Sequence, residues 1–254
     1  MTMLTVLGSA GGAPTRTNPA SGYLLESNDT AVWIDAGTGT FMELARYIDP
    51  GRLSGLVLSH IHVDHCSDIF GLYGYLAFGP SGIVPIPVFG PAGASEHLAA
   101  FARASKEHVF HTVLDLVDVE PGSEVTIGEV EIRFRRAVHP VPALVTRFQT
   151  RGGSLVYSGD TGPGSDLLEL ALGADALLCE ASIAGERSAQ TYPYHLTAGE
   201  AGRIAAEADV SSLILTHLAS DVDADRALEE AASAFRGPIS LALPGTTFAI
   251  GGSV

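Results

Sequence analysis

A seven-residue stretch, Ser59-His60-Ile61-His62-Val63-Asp64-His65, directly follows the apolar run Leu56-Val57-Leu58. A buried strand therefore ends where three imidazoles and a carboxylate begin. Alternate residues of an extended segment share a side, so His60 and His62 can grip one ion together. Asp64 and His65, at the turn into the following helix, can face a second ion. Imidazole nitrogen and carboxylate oxygen suit zinc, manganese or iron better than calcium, which prefers oxygen alone. The plainer reading is a solvated His-rich loop. The apolar strand on one side and helical spacing on the other argue against it.

The rest of the chain supplies strands and helices around that loop. Residues 2–7 read as a strand. The glycine-rich loop Gly8-Ser9-Ala10-Gly11-Gly12-Ala13-Pro14 follows, without the Gly-Lys-Ser/Thr of a nucleotide phosphate loop. Gly22 to Ser27 and Ala31 to Asp35 form a hairpin through Asn28-Asp29. Ile69, Leu72, Tyr73 and Leu76 recur at helical spacing, with Asp64 as a candidate cap. Ser95 is a candidate cap for the next helix, which places Leu98, Phe101 and Ala102 on one face. Residues 113–119, 124–127, 130–139, 143–150 and 154–158 read as strands. Strands and helices then alternate, and Thr197-Ala198-Gly199-Glu200 is a capping box. Leu56-Val57-Leu58-Ser59-His60 is echoed by Leu213-Ile214-Leu215-Thr216-His217, which directs attention to strand ends in the second half. No stretch has the composition of a tether, so residues 1–254 read as one domain.

Composition excludes several partners. The formal net charge is −15, with 14 Lys and Arg in all, which disfavours a long nucleic acid. The one basic cluster, Arg133-Phe134-Arg135-Arg136, falls in a strand and reads as a solvated edge. Ile69 to Ser95 carries no charge, but glycines and prolines interrupt it too often for a membrane span. A dimer interface or a lid are two uses for that stretch. Cys66 and Cys179 form no paired framework, which fits a reducing cytoplasm. Both read as small buried residues rather than ligands. His97, His108 and His111 read as surface or lid residues.

Four further candidates stand at strand ends: His139, Asp160 in Ser158-Gly159-Asp160-Thr161, His195 in Tyr194-His195-Leu196-Thr197, and His217. With residues 60–65 they make the chain resemble the metallo-β-lactamase superfamily over essentially its whole length. The resemblance implies an α/β fold, a four-layer αβ/βα sandwich with metals at one edge. The tail and the glycine-rich opening resemble the RNase Z branch. RNase Z carries a long tRNA-gripping arm between the third His and the Gly-Asp-Thr motif. Here His139 and Asp160 are 21 positions apart (160 − 139), so no arm fits. The chain is more similar to small arm-less phosphodiesterases of that branch, of the atypical cyclic-nucleotide type.

Carried over by position, the resemblance implies that His60, His62 and His139 hold one ion, that Asp64, His65 and His217 hold another, and that Asp160 bridges them. Two divalent ions are implied, zinc being the first expectation and manganese or iron the alternatives. Such a pair activates water for attack on phosphorus and offsets phosphoryl charge. His195 is then the candidate proton donor to the leaving oxygen, with Glu180 as a candidate partner, and Asp64 is a candidate proton shuttle. The expected substrate is a small anionic phosphodiester such as 3′,5′-cyclic AMP. A tRNA 3′-endonuclease and a carboxyl-ester or lactone hydrolase are the alternatives. A non-catalytic scaffold fits poorly, because all seven ligand positions are filled. The combination of motifs also disfavours antibiotic hydrolysis.

Overall fold

The structure, a computed structural model, describes residues 1–79, 85–103 and 107–252. Two seven-stranded sheets stack face to face. The first contains β1 (Thr2–Gly8), β2 (Gly22–Ser27), β3 (Thr30–Ile34), β4 (Gly55–Val57), β5 (Ile86–Pro91), β6 (Leu114–Val119) and β14 (Thr247–Ile250). Their spatial order is β14-β1-β2-β3-β4-β5-β6. The second contains β7 (Glu124–Ile127), β8 (Val130–Arg136), β9 (Leu144–Gln149), β10 (Ser154–Tyr157), β11 (Ala176–Glu180), β12 (Leu213–Thr216) and β13 (Ile239–Leu241). Its order runs β13-β12-β11-β10-β9-β8-β7. Each sheet is antiparallel at one end and parallel from β3 or β10 onward.

Side-chain alternation explains the layering. Along a strand successive residues face opposite sides. Leu177, Leu213 and Leu215 accordingly pack outward against α6 (Leu167–Ala171), α7 (Ala198–Glu207) and α8 (Ala224–Ala234). Their neighbours Leu178 and Ile214 face inward and meet Val6, Tyr23, Leu25 and Ile34 of the other sheet. On the far side, Leu24, Trp33 and Leu56 pack against α1 (Thr40–Tyr47), α3 (Ile69–Phe78), α4 (Ala94–Ala102) and α5 (Glu107–Val113). Helices, sheet, sheet and helices therefore form four layers. Central strands such as β3, β10, β11 and β12 are buried on both faces, which is why they read as unbroken apolar runs.

The basic cluster lies in β8, one strand in from the edge strand β7. Its alternation is clean: Ile132 and Phe134 are buried, while Arg133 and Arg136 are exposed. It is the open outer face of the sheet that is solvated. The Thr197 capping box is present as expected. Two other expected caps are not. Asp64 falls inside the short helix α2 (Val63–Cys66), so it does not cap α3. The turn into α4 starts at Gly93, with φ 84°, and Asp118 takes the amides of Gly93 and Ser95 at 2.7 and 2.9 Å. Phe101 is exposed rather than packed with Leu98 and Ala102; its ring lies 4.6 Å from that of Phe70. The strand expected from residue 113 begins one residue later, because Val113 completes α5. Residues 80–84 of the uncharged stretch lie outside the described residues, as does the side chain of His108. His97 and His111 are exposed. Among the described residues no helix is long and apolar enough to cross a membrane.

Phe134 is fully buried between the sheets. Phe134→Ala is expected to lower the unfolding free energy by about 3–5 kcal/mol. Urea titration would show this as a lower midpoint at unchanged slope.

Candidate metal centre

Strand ends and the turns after them bring the polar residues together. Asp35 follows β3, His60 follows β4, His139 follows β8, Asp160 follows β10, Glu180 ends β11 and His217 follows β12. The short helix α2 turns the chain so that Asp64 and His65 join them. All seven expected ligands converge, in two groups. The ligand atoms of His60, His62 and His139 lie within 4.8 Å of one another, as do those of Asp64, His65, Asp160 and His217. His62 Nδ1 is 3.1 Å from Nε2 of both His60 and His139. In the second group, Asp160 Oδ1 is 3.3 Å from His65 Nε2, and Asp160 Oδ2 is 3.3 Å from His217 Nε2. The same Oδ2 is 3.7 Å from His60 Nε2, so Asp160 stands between the groups.

Four of the five ligand imidazoles are aimed by their other nitrogen. His60 Nδ1 meets Ser59 Oγ at 3.0 Å, and His217 Nδ1 meets Ser21 Oγ at 2.8 Å. His139 Nδ1 donates to the Tyr194 carbonyl at 3.4 Å. His65 Nδ1 meets Asp35 Oδ2 at 2.7 Å. These four contacts leave Nε2 of each ring turned to the centre, the arrangement that outer contacts impose on metal-binding histidines. His62 is the exception and turns Nδ1 inward.

Asp35 is the hub. It is fully buried, and its Oδ1 accepts from the Ser59 amide at 2.7 Å. Its Oδ2 accepts from Ser59 Oγ and Tyr157 Oη, each at 2.7 Å, beside the contact to His65. Sequence reasoning placed Asp35 only as a strand end. Its one signal was a lone carboxylate after Ala31-Val32-Trp33-Ile34.

Burial and neighbouring charge act differently on the ligands. Burial alone would lower His65, but Asp160 and Asp35 outweigh it and hold the ring well above its ordinary value, so a bound ion takes the place of its proton. Burial, reinforced by the surrounding imidazoles, holds His60 well below its ordinary value. Burial likewise lowers His139 to about 4, against the pull of Asp160. Both rings are thus neutral, the form that binds metal. Burial alone would raise Asp160, but His217 and His65 outweigh it and hold the carboxyl well below its ordinary value. Cys66 is not a ligand: burial, followed by the charges of Asp35 and Asp64, pushes its thiol up to about 12. Its Sγ points to the Ile61 carbonyl at 3.4 Å.

The donor set fits a pair of dications. His65 Nε2 and Asp160 Oδ1 are buried 3.3 Å apart, without hydrogen-bond geometry to each other or to any other group. Orphaned polar atoms are rare in protein interiors, and here both face the ring of nitrogens and oxygens that a metal would complete. His217 has φ 53°, a backbone strain that the surrounding structure holds.

His195 completes the cleft. Its Nδ1 lies 3.0 and 3.2 Å from the two oxygens of Glu180, a fully buried carboxylate. Glu180 also accepts from the Thr161 amide at 2.7 Å and from Ser182 Oγ at 2.7 Å. The His195 ring stacks on His217, with centroids 6.0 Å apart, and stands edge-on to His139 at 5.5 Å. A ligand atom of His195 also falls within 4.8 Å of His139 and Asp160. Close approach at Gly162 allows this: a Cβ there would stand 1.8 Å from the Pro193 carbonyl oxygen. The resulting cleft has a volume of about 410 Å³.

A beta-lactamase superfamily domain model matches residues 30–218. An uncharacterized protein of Mycobacterium leprae is 38% identical, over 97% of this chain and 88% of its own length. The crystal structure of the metallo-beta-lactamase fold protein YhfI from Bacillus subtilis superposes with a TM-score of 0.87 at 27% identity, covering 98% of this chain and 99% of that one. Ribonuclease Z of Brevibacillus brevis is 28% identical, over 90% of this chain and 89% of its own. The chain belongs to the beta-lactamase superfamily and is a metallo-hydrolase of that superfamily, with His/Asp clusters able to hold two metal ions.

Asp35→Asn removes the charge that aims His65 and is expected to weaken metal binding about 10–100-fold. Chelator competition measures the change, and an unaltered circular dichroism spectrum shows that the fold persists.

Proposed function

We propose that this chain is a dinuclear metal-dependent phosphodiesterase acting on a small phosphodiester, such as a 3′,5′-cyclic nucleotide, with zinc as the first metal to test. The observation that supports this best is the pair of ligand groups sharing Asp160, with the Glu180-held His195 facing the same cleft. His60, His62 and His139 would hold one ion. Asp64, His65 and His217 would hold the other, with Asp160 between them. When bound, such ions offset negative charge on phosphoryl oxygens and make water a better nucleophile near neutral pH.

The chain's own residues supply the rest. A departing alkoxide needs a proton, and His195 can hold one on the nitrogen not engaged by Glu180. Burial alone would lower the His195 pKa, but the Glu180 hydrogen bond and charge outweigh it and raise it above its ordinary value. The Glu180 contact therefore favours the protonated ring. Asp64 is anchored by the Gly12 amide on its Oδ2 at 3.0 Å, which steadies the glycine-rich loop against the site. Asp64 is half-buried and borders the cleft, a position that suits the proposed proton shuttle.

Substrate size follows from the surroundings. A cleft of about 410 Å³ suits a small ligand. β9 and β10 fill the interval between His139 and Asp160, so no arm for gripping RNA emerges there. The net charge of −15 also favours a small anion drawn in by the metals over a polyanion. The Ribonuclease Z relative supports a second reading, cleavage of precursor tRNA. Cys66 and Cys179 are both free and buried, which supports a reducing cytoplasm as the setting.

The test is hydrolysis of 3′,5′-cyclic AMP by metal-reconstituted protein, with Asp160→Ala as the blank. Turnover that vanishes in the variant is the expected result. No turnover in a sample carrying two ions per chain would overturn the cyclic-nucleotide reading, and precursor-tRNA cleavage by that sample would establish the second. His195→Ala should lower kcat about 10²–10⁴-fold with both ions retained; loss of an ion would make His195 a ligand. The alkaline limb of the pH profile follows loss of the His195 proton. Glu180→Gln removes the interaction that raises this pKa, so the limb should move to lower pH.

A further inference from the structure

No lysine or arginine is among the described residues that line the cleft. Beyond bound ions and the His195 ring, a ligand therefore gains its affinity there from neutral contacts. Tyr192 offers the largest such surface. It is 52% exposed, although large aromatic side chains usually bury most of their area. Its ring stands edge-on to Tyr194, 5.3 Å away at 72°, and lies 5.7 Å from His195 at 32°. His195 in turn borders His139 and His217. The exposed ring is thus one imidazole away from both ligand groups.

The backbone that carries the ring is also held in place. Ser188 and Thr191 close a turn just before it, through the Ser188 amide to Thr191 Oγ1 at 2.8 Å and the Thr191 amide to the Ser188 carbonyl at 3.1 Å. Arg187 donates to the Tyr192 carbonyl at 3.2 Å and to the His195 carbonyl. The same guanidinium grips Glu200 twice, at 2.5 and 2.8 Å. Glu200 is the second member of the capping box that opens α7. Tyr192 and His195 are therefore tied to one rigid helix start. A shelf set in advance loses little freedom when a ligand docks. Elsewhere in the cleft Gly12 has nothing within 4 Å of where a Cβ would stand, so a planar group has room.

We infer that the Tyr192 ring is a stacking shelf for the nucleobase of a mononucleotide-sized phosphodiester, placing the scissile phosphate at the paired ligand groups. This deepens, and rests on, the phosphodiesterase reading above. A base is joined to its phosphate through one sugar, and the shelf is separated from the ligand groups by one imidazole. Stacking accepts every base, because each has a π face. The shelf therefore selects nucleotides over sugar phosphates without selecting among bases.

The test is calorimetric titration of the metal-loaded protein with AMP and, separately, with ribose 5-phosphate, which lacks the base. The quantity read is the ratio of the two affinities. In Tyr192→Ala that ratio should fall about tenfold, within the range for base–aromatic stacking. In Tyr192→Phe and Tyr192→Trp it should be kept, since both retain a flat ring. An unchanged ratio in Tyr192→Ala overturns the inference. So does an equal fall in Tyr192→Phe, which would assign the effect to the hydroxyl. Because binding is read without turnover, this result stands apart from the hydrolysis assay. Failure of cyclic-AMP hydrolysis removes the cyclic-nucleotide reading, whereas failure of the ratio removes only the shelf.

Discussion

The centre depends on one buried carboxylate. Asp35 leaves β3 of the first sheet with φ 52° and accepts the Tyr157 hydroxyl from β10 of the second. An isolated ionised carboxylate in such surroundings is strongly unfavourable. Here the Ser59 amide, the Ser59 hydroxyl, the Tyr157 hydroxyl and the His65 ring all satisfy it. Three of these four groups belong to the ligand loop. The hydrogen bonds that make the buried charge tolerable therefore also fix the ligand loop, and they do so across the joint between the two sheets.

A second carboxylate repeats the device in the other half. Glu180 is fully buried at the end of β11 and accepts from Thr161 and Ser182 while holding His195. Ser182 Oγ also reaches the His217 carbonyl at 2.7 Å. One buried acid thus serves the ligand loop, and the other serves the imidazole nearest the open cleft. Around them, neutral rings such as His60 and His139 surround an ionised Asp160. Two neutral nitrogen donors beside one ionised oxygen make a donor set that suits a dication.

Much of this was legible before the structure, for physical reasons. The ligand loop announced itself because its polar residues interrupt an apolar strand, and the strand-end echo at His217 followed the same logic. The four layers were implied by the resemblance of the motifs to the superfamily, and the unbroken apolar runs of the central strands agree with them. What was not legible shares a cause: contacts that no local motif marks. Asp35 meets Tyr157 across 122 positions and carries no local motif. Arg187 sits alone in a polar loop, yet it ties Tyr192 and His195 to α7. Phe101 matched a helical face, but its ring lies outside the core and against Phe70 instead. The Arg133 cluster was readable as solvated, though not as part of a strand inside the sheet.

The central claim is that two ligand groups sharing Asp160 hold two ions in one folded chain. The most direct measurement is metal content by mass spectrometry after saturation and dialysis, for the wild type and for His62→Ala. The account predicts two ions per chain in the wild type and one in the variant. A single ion in the folded wild type, or two in the variant, would contradict it.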